Sequence, residues 1–124
     1  MKIRESFALY YNNGQIWAGD YDALGTNYDI LRNKIEEDME VLKRPSSPAF
    51  VAVHLYDTDV PHDIAILIID KLCKIQTFIK KVAFIGLDRQ SKNNIKNCIK
   101  KSDIGFVFDY FKDYEKAKEW LVSK

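Results

Sequence analysis

The chain has 124 residues, enough for one domain with its own core and too few for two of ordinary size. Its 19 basic and 18 acidic residues leave a net charge of +1, which excludes a global pull towards nucleic acid or an anionic membrane. The 47 % hydrophobic and 30 % charged content is that of a folded globular protein, with no apolar run near the ~18 residues that span a bilayer. The two cysteines, Cys73 and Cys98, fall in predicted helices, and no apolar leader follows Met1–Glu5, so the expected setting is a reducing cytoplasm.

Phe7–Tyr11 reads as a short apolar strand, followed by Asn12-Asn13-Gly14. Asn-Gly is favoured where both turn positions need positive φ, so Gln15–Tyr21 should return as the second strand of a hairpin. Gly25-Thr26-Asn27 opens a helix that Thr26 can cap, with Asp29 three residues on. Tyr28, Leu31, Ile35, Met39 and Leu42 form its apolar stripe, and Glu36, Glu37, Asp38 and Glu40 an acidic outer face. The prolines and serines of Lys43–Pro48 make a loop. Phe50–Tyr56 is β-branched and aromatic on both faces, which marks a central strand covered on two sides. It breaks at Asp57-Thr58-Asp59, and Pro61 suits the first turn of the next helix. In that helix Ile64, Ala65, Ile68, Leu72, Ile75 and Ile79 share a face, with Asp70, Lys71 and Lys74 opposite. Ile66 and Leu67 fit neither side, so at least one should be poorly covered by a sheet. Val82–Leu87 is another buried strand, and Asp88–Lys101 a helix with Ile95, Cys98 and Ile99 inward. Ile104–Phe108 is a further apolar run. Asp113 caps a last helix, whose Tyr114, Ala117, Trp120 and Leu121 pack inward.

The order is β-β-α-β-α-β-α-β-α in a single domain over residues 1–124. Helices between the later strands require those strands to run parallel, so the class is α/β, a mixed and mostly parallel sheet flanked by helices.

Three stretches carry a family likeness: Val53-His54-Leu55-Tyr56-Asp57-Thr58-Asp59-Val60 at the strand-to-helix junction, Val82-Ala83-Phe84-Ile85-Gly86-Leu87, and the tail Phe111 to Leu121 with its Ala-x-x-Trp-Leu ending. With the element order and the length, they resemble the STAS domain, which includes anti-sigma-factor antagonists, cytoplasmic domains of sulfate transporters and a SpoIIAA-like branch. The resemblance covers nearly the whole chain, from Phe7 to Leu121. It implies a regulatory scaffold whose second helix start docks protein partners. Regulatory members carry Asp-Ser-Ser-Gly there, with a serine that a kinase phosphorylates. This chain has Val60-Pro61-His62-Asp63, so the serine switch is missing, and Thr58 is the nearest hydroxyl.

Asp57, Asp59, His62 and Asp63 fall close together, a set that could bind a divalent metal or move protons. Loop carboxylates stabilised by a helix N-terminus explain the same cluster without chemistry. No glycine-rich phosphate loop is present, and no serine or cysteine has a readable His and acid partner. Lys92, Lys96 and Lys100, with Arg89, Lys80 and Lys81 nearby, form a basic ridge without interleaved aromatics, which fits a solvated helix face better than nucleic acid. The expectation is therefore a non-enzymatic binding module without cofactor or metal. Its partner is a protein or a second copy of the chain, not nucleic acid or membrane. The contact candidates are Asp57, Thr58, Asp59, His62, Asp63, Ile66, Leu67, Gly86 and Asp88. The alternative is a small-ligand site, for a nucleotide or an apolar molecule, between the Asp57–Asp63 loop and Gly86–Asp88. A weaker one is an enzyme using His62 and the aspartates.

Overall fold

The computed structural model describes residues 5–44 and 47–123. Pro45 and Ser46 of the expected loop, and Met1–Arg4 at the N-terminus, lie outside the described residues. The elements follow the expected order: β1 (Phe7–Tyr11), β2 (Gly14–Asp20), α1 (Tyr28–Leu42), β3 (Phe50–His54), α2 (His62–Lys74), β4 (Lys81–Ile85), α3 (Arg89–Lys100), β5 (Val107–Phe111) and α4 (Tyr114–Val122).

The five strands form one sheet in the order β1-β2-β3-β4-β5, antiparallel between β1 and β2 and parallel thereafter. Each parallel crossover steps one strand in the same direction. Right-handed crossovers in one direction put every connecting helix on one face, so α1, α2 and α3 share a layer. That layer packs on Trp17, Val51, Val53, Val82 and Phe84. Only α4 follows the last strand with no crossover to make, and it covers the opposite face, on Ile16, Ala52, Ala83 and Ile85. Ala18, Ala52 and Ala83 are register partners across three strands. Their small side chains make a shallow floor on which Ala117 of α4 is fully buried.

Several boundaries differ from the sequence reading. The hairpin turn is Asn12-Asn13, both at positive φ, and Gly14 already belongs to β2, paired with Tyr11. A Cβ on Gly14 would meet Val122 of α4 at 2.4 Å, so the glycine serves helix packing and not the turn. Thr26 caps nothing. Asn27 holds the N-cap position without a side-chain cap bond, and its amide donates to the Leu24 carbonyl at 2.8 Å. Asp38 does not belong to an exposed acidic face. It accepts hydrogen bonds from Ser6 and from Tyr21, each at 2.6 Å, and burial raises its pKa against the lowering effect of those bonds. Helix α2 stops at Lys74, and Ile75 and Ile79 stay buried in the turns that follow. Strand β5 runs three residues later than the apolar run at Ile104, because Asp109 sits at an exposed position of an edge strand, where charge is tolerated. Among the described residues no helix is long and apolar enough to cross a membrane.

The alanine floor yields a test. Ala83→Leu pushes a branched side chain into the seat of α4, and overpacking of this kind costs about 1–3 kcal/mol. Urea unfolding should show a lower midpoint with an unchanged m-value, and an unaltered midpoint would show that α4 does not depend on this close approach.

Candidate functional site

The loops after β2, β3, β4 and β5 emerge at one edge of the sheet and continue its ladder past the strand ends. Tyr21 N–H donates to the His54 carbonyl, Leu55 N–H to Ile85, and Gly86 N–H to Phe111. Gly25 and Thr58 form a further bridge, with Gly25 N–H on the Asp57 carbonyl and Asp59 N–H on the Gly25 carbonyl, both at 2.9 Å. Asp22 Oδ1 accepts from the Tyr56 N–H at 2.8 Å.

Most of the polar residues that the sequence brings to this edge are used in holding it. Thr58 is 3 % exposed. Its hydroxyl donates to the Tyr21 carbonyl and accepts from the Leu24 N–H at 3.1 Å, so no face of it is open. Asp59 accepts from the Tyr28 hydroxyl at 2.6 Å, and that bond is the main reason the Tyr28 pKa is raised. Asp63 pairs with Arg32 of α1. Asp88 caps α3 by accepting from the Ser91 N–H at 2.7 Å. Gly86 has φ +83°, and a Cβ there would lie 2.6 Å from the Tyr56 ring, so this turn requires glycine. Asp57 is exposed, with φ +53°. Among the described residues no three His, Cys, Asp or Glu side chains are placed to share a metal ion. A nucleotide crevice in open α/β sheets forms where the strand order reverses direction. Here the crossovers never reverse, so the Asp57–Asp63 and Gly86–Asp88 loops flank no such crevice.

Two cavities lie beside these residues. One is a cleft of about 520 Å³ between α2 and α3. Ile66, Ile69, Cys73 and Cys98 give it apolar walls, with His62 at one end and Asp70, Lys101 and Asp103 on the rim. Ile66 is 49 % exposed, whereas Leu67 is half-buried against the core. Ile69 is buried, a core position that the single-face reading of α2 missed because α3 covers a second side of the helix. Both cysteines are free, and burial raises their thiol pKa values.

The other lies on the α4 face, where Asp20 and His54 are register partners at the ends of β2 and β3. With Asp22, Tyr56, Tyr114 and Phe7 they line a cavity of about 280 Å³. The Tyr114 ring meets the imidazole edge-on, with centroids 4.2 Å apart, and its buried hydroxyl has no partner among the described residues. Burial holds the His54 pKa below its usual value, against the opposing pull of Asp20. A neutral imidazole beside a carboxylate can pass a proton, and among the described residues that line this cavity there is no serine, threonine, cysteine or lysine. The sequence offered no signal for this group, because its members come from separate strands and a helix and meet only across the sheet.

Compared with known proteins, the chain matches no family model, no characterised protein and no solved structure.

Two outcomes follow from these geometries. Thr58→Val keeps the shape but orphans a buried N–H and a buried carbonyl, and should cost about 1–3 kcal/mol in urea unfolding; an unchanged midpoint would remove Thr58 from the loop's support. For His54 the folded pKa is depressed, so between that value and about 6.5 the unfolded chain binds a proton that the folded chain refuses. Stability is then fully present above about 6.5 and falls as the pH drops towards the folded value, by at most about 1.4 kcal/mol per pH unit. Denaturation at neutral and mildly acid pH should show a smaller acid loss in His54→Gln than in the parent, and equal losses would refute the assignment.

Proposed function

We propose that this chain is a STAS-like domain that works by binding a protein partner through the α2–α3 cleft, without a phosphoserine switch and without catalysis. The observation that carries this reading is Ile66: a large apolar side chain, half exposed, at the mouth of an apolar cleft. Exposed apolar surface rimmed by charge marks interaction sites on folded proteins. A cleft between two helices with rim charges of both signs suits an amphipathic segment, whose apolar residues fill the floor while its polar residues meet Asp70, Lys101 and Asp103. The antiparallel hairpin followed by parallel strands and helices is compatible with the STAS-like arrangement. Where regulatory members have the aspartate that precedes their serines, Val60 is buried and bonded to α3 through Ser91 and Asn94, which ties the start of α2 to its neighbour. The contact surface is thus centred on His62 and Ile66 and extends along α2, away from Thr58, Asp59 and Asp63, which serve the loop.

The test compares capture of partners by the parent, by Ile66→Asp and by Tyr10→Asp, a control at an exposed residue of β1. A partner retained by the control and lost by Ile66→Asp, whose melting temperature is unchanged, is the expected result. That partner should also slow alkylation of Cys73 inside the cleft. Sedimentation of the parent alone distinguishes a second copy of the chain from a different protein. A partner held equally by all three proteins, with Cys73 unprotected, would sink the reading.

A further inference from the structure

The net charge is +1, yet four cations line one cavity in which no carboxylate takes part. This cavity, of about 480 Å³, lies between α3 and the edge strand β5. Arg89, Lys92 and Lys96 recur at spacings of three and four and share one face of α3, while Lys112 follows the end of β5. At 100° per residue that face is turned away from Cys98 and Lys101, which line the α2–α3 cleft, so α3 has a cavity on each side. The floor is aromatic. Phe84 and Tyr110 are register partners on β4 and β5, and their rings stack with centroids 5.7 Å apart. Lys92 Nζ stands 4.9 Å, and Lys96 Nζ 5.7 Å, from the centre of the Tyr110 ring. The ridge therefore does have an aromatic beside it, supplied by a strand remote in sequence; Lys100 does not reach the cavity.

The charge arrangement asks for an anion here. Among the described residues none of the four cations has a carboxylate within ion-pair distance. Like charges gathered in a concave, partly apolar site raise one another's energy and concentrate anions from solution. The cation–ring contacts offset this only modestly.

We infer that this cavity binds a compact polyanion with two or more adjacent phosphate groups, held by Arg89, Lys92, Lys96 and Lys112. Guanidinium and ammonium groups at neighbouring positions suit oxygens spread over a diphosphate better than a single carboxylate. The concave shape favours a small ligand over a nucleic-acid strand. A strand of bases needs an aromatic face to stack on, and the Tyr110 ring already has Phe84 and the two lysines packed about it. The diphosphate could be free or part of a nucleotide, and the choice of probes separates these.

Calorimetric titration of the whole chain with pyrophosphate, ADP, AMP and orthophosphate tests the site. Pyrophosphate and ADP should bind, about tenfold or more tighter than orthophosphate and AMP, and more weakly as salt rises. Lys92→Gln/Lys96→Gln keeps the side-chain stems over Tyr110 and should weaken both by about tenfold or more at an unchanged melting temperature. Equal affinity for pyrophosphate and ADP makes the diphosphate the recognised unit, and a tighter ADP adds the nucleoside. No binding of either by the parent, or full binding by the double variant, overturns the site. So does a single-stranded oligonucleotide that binds through these lysines when pyrophosphate and ADP do not. Partner capture through Ile66 should be the same in all these variants, so failure here leaves the α2–α3 cleft untouched.

Discussion

The direction of three crossovers governs this structure. Each parallel strand is added on the same side of the last, and right-handed connections then confine α1, α2 and α3 to one face of the sheet. A one-sided helical layer leaves the other face bare, and α4 is the element that closes it. It can do so because Ala18, Ala52 and Ala83 align across the central strands and Gly14 admits Val122. The same constraint locates the cavities. With no reversal of strand order the larger open spaces arise between adjacent helices and beside β5, and the strand ends hold only the smaller cavity at Asp20 and His54.

The loop edge illustrates how residue types with chemical potential become structural. Thr58, Asp59, Asp63 and Asp88 are grouped by the fold, as their sequence spacing suggests, but each spends its lone pairs or protons on a backbone N–H, a tyrosine hydroxyl or an arginine. A buried hydroxyl with both its donor and its acceptor sides filled is an anchor. Asp57 stays exposed in the loop, and His62 and Ile66 are exposed on the first two turns of α2.

Helix α3 separates two environments. Cys98 and Lys101 face α2 across an apolar cleft, whereas Arg89, Lys92 and Lys96 face the aromatic edge of the sheet. Charge of one sign is concentrated on the second side although the chain as a whole is nearly neutral. Composition averages over surfaces of different charge, and a net charge of +1 therefore says nothing about what either side attracts.

The sequence by itself determined the element order, the α/β class, the hairpin and the α1 and α3 apolar stripes, because each follows from local periodicity and turn chemistry over a few residues. It also marked Ile66 and Leu67 as a pair of which a single sheet would leave at least one poorly covered, and the exposed one is Ile66. The tertiary structure alone decided the sequential strand order and the opposite placement of α4, the burial of Ile69, the bonding of Asp38 to Ser6 and Tyr21, and the true role of Gly14. It alone decided the meeting of His54 with Asp20 and Tyr114, and of Lys92 and Lys96 with Tyr110. These depend on pairs of residues far apart in the chain. Periodicity reports which side of its own element a residue occupies, and says nothing of which other element arrives there.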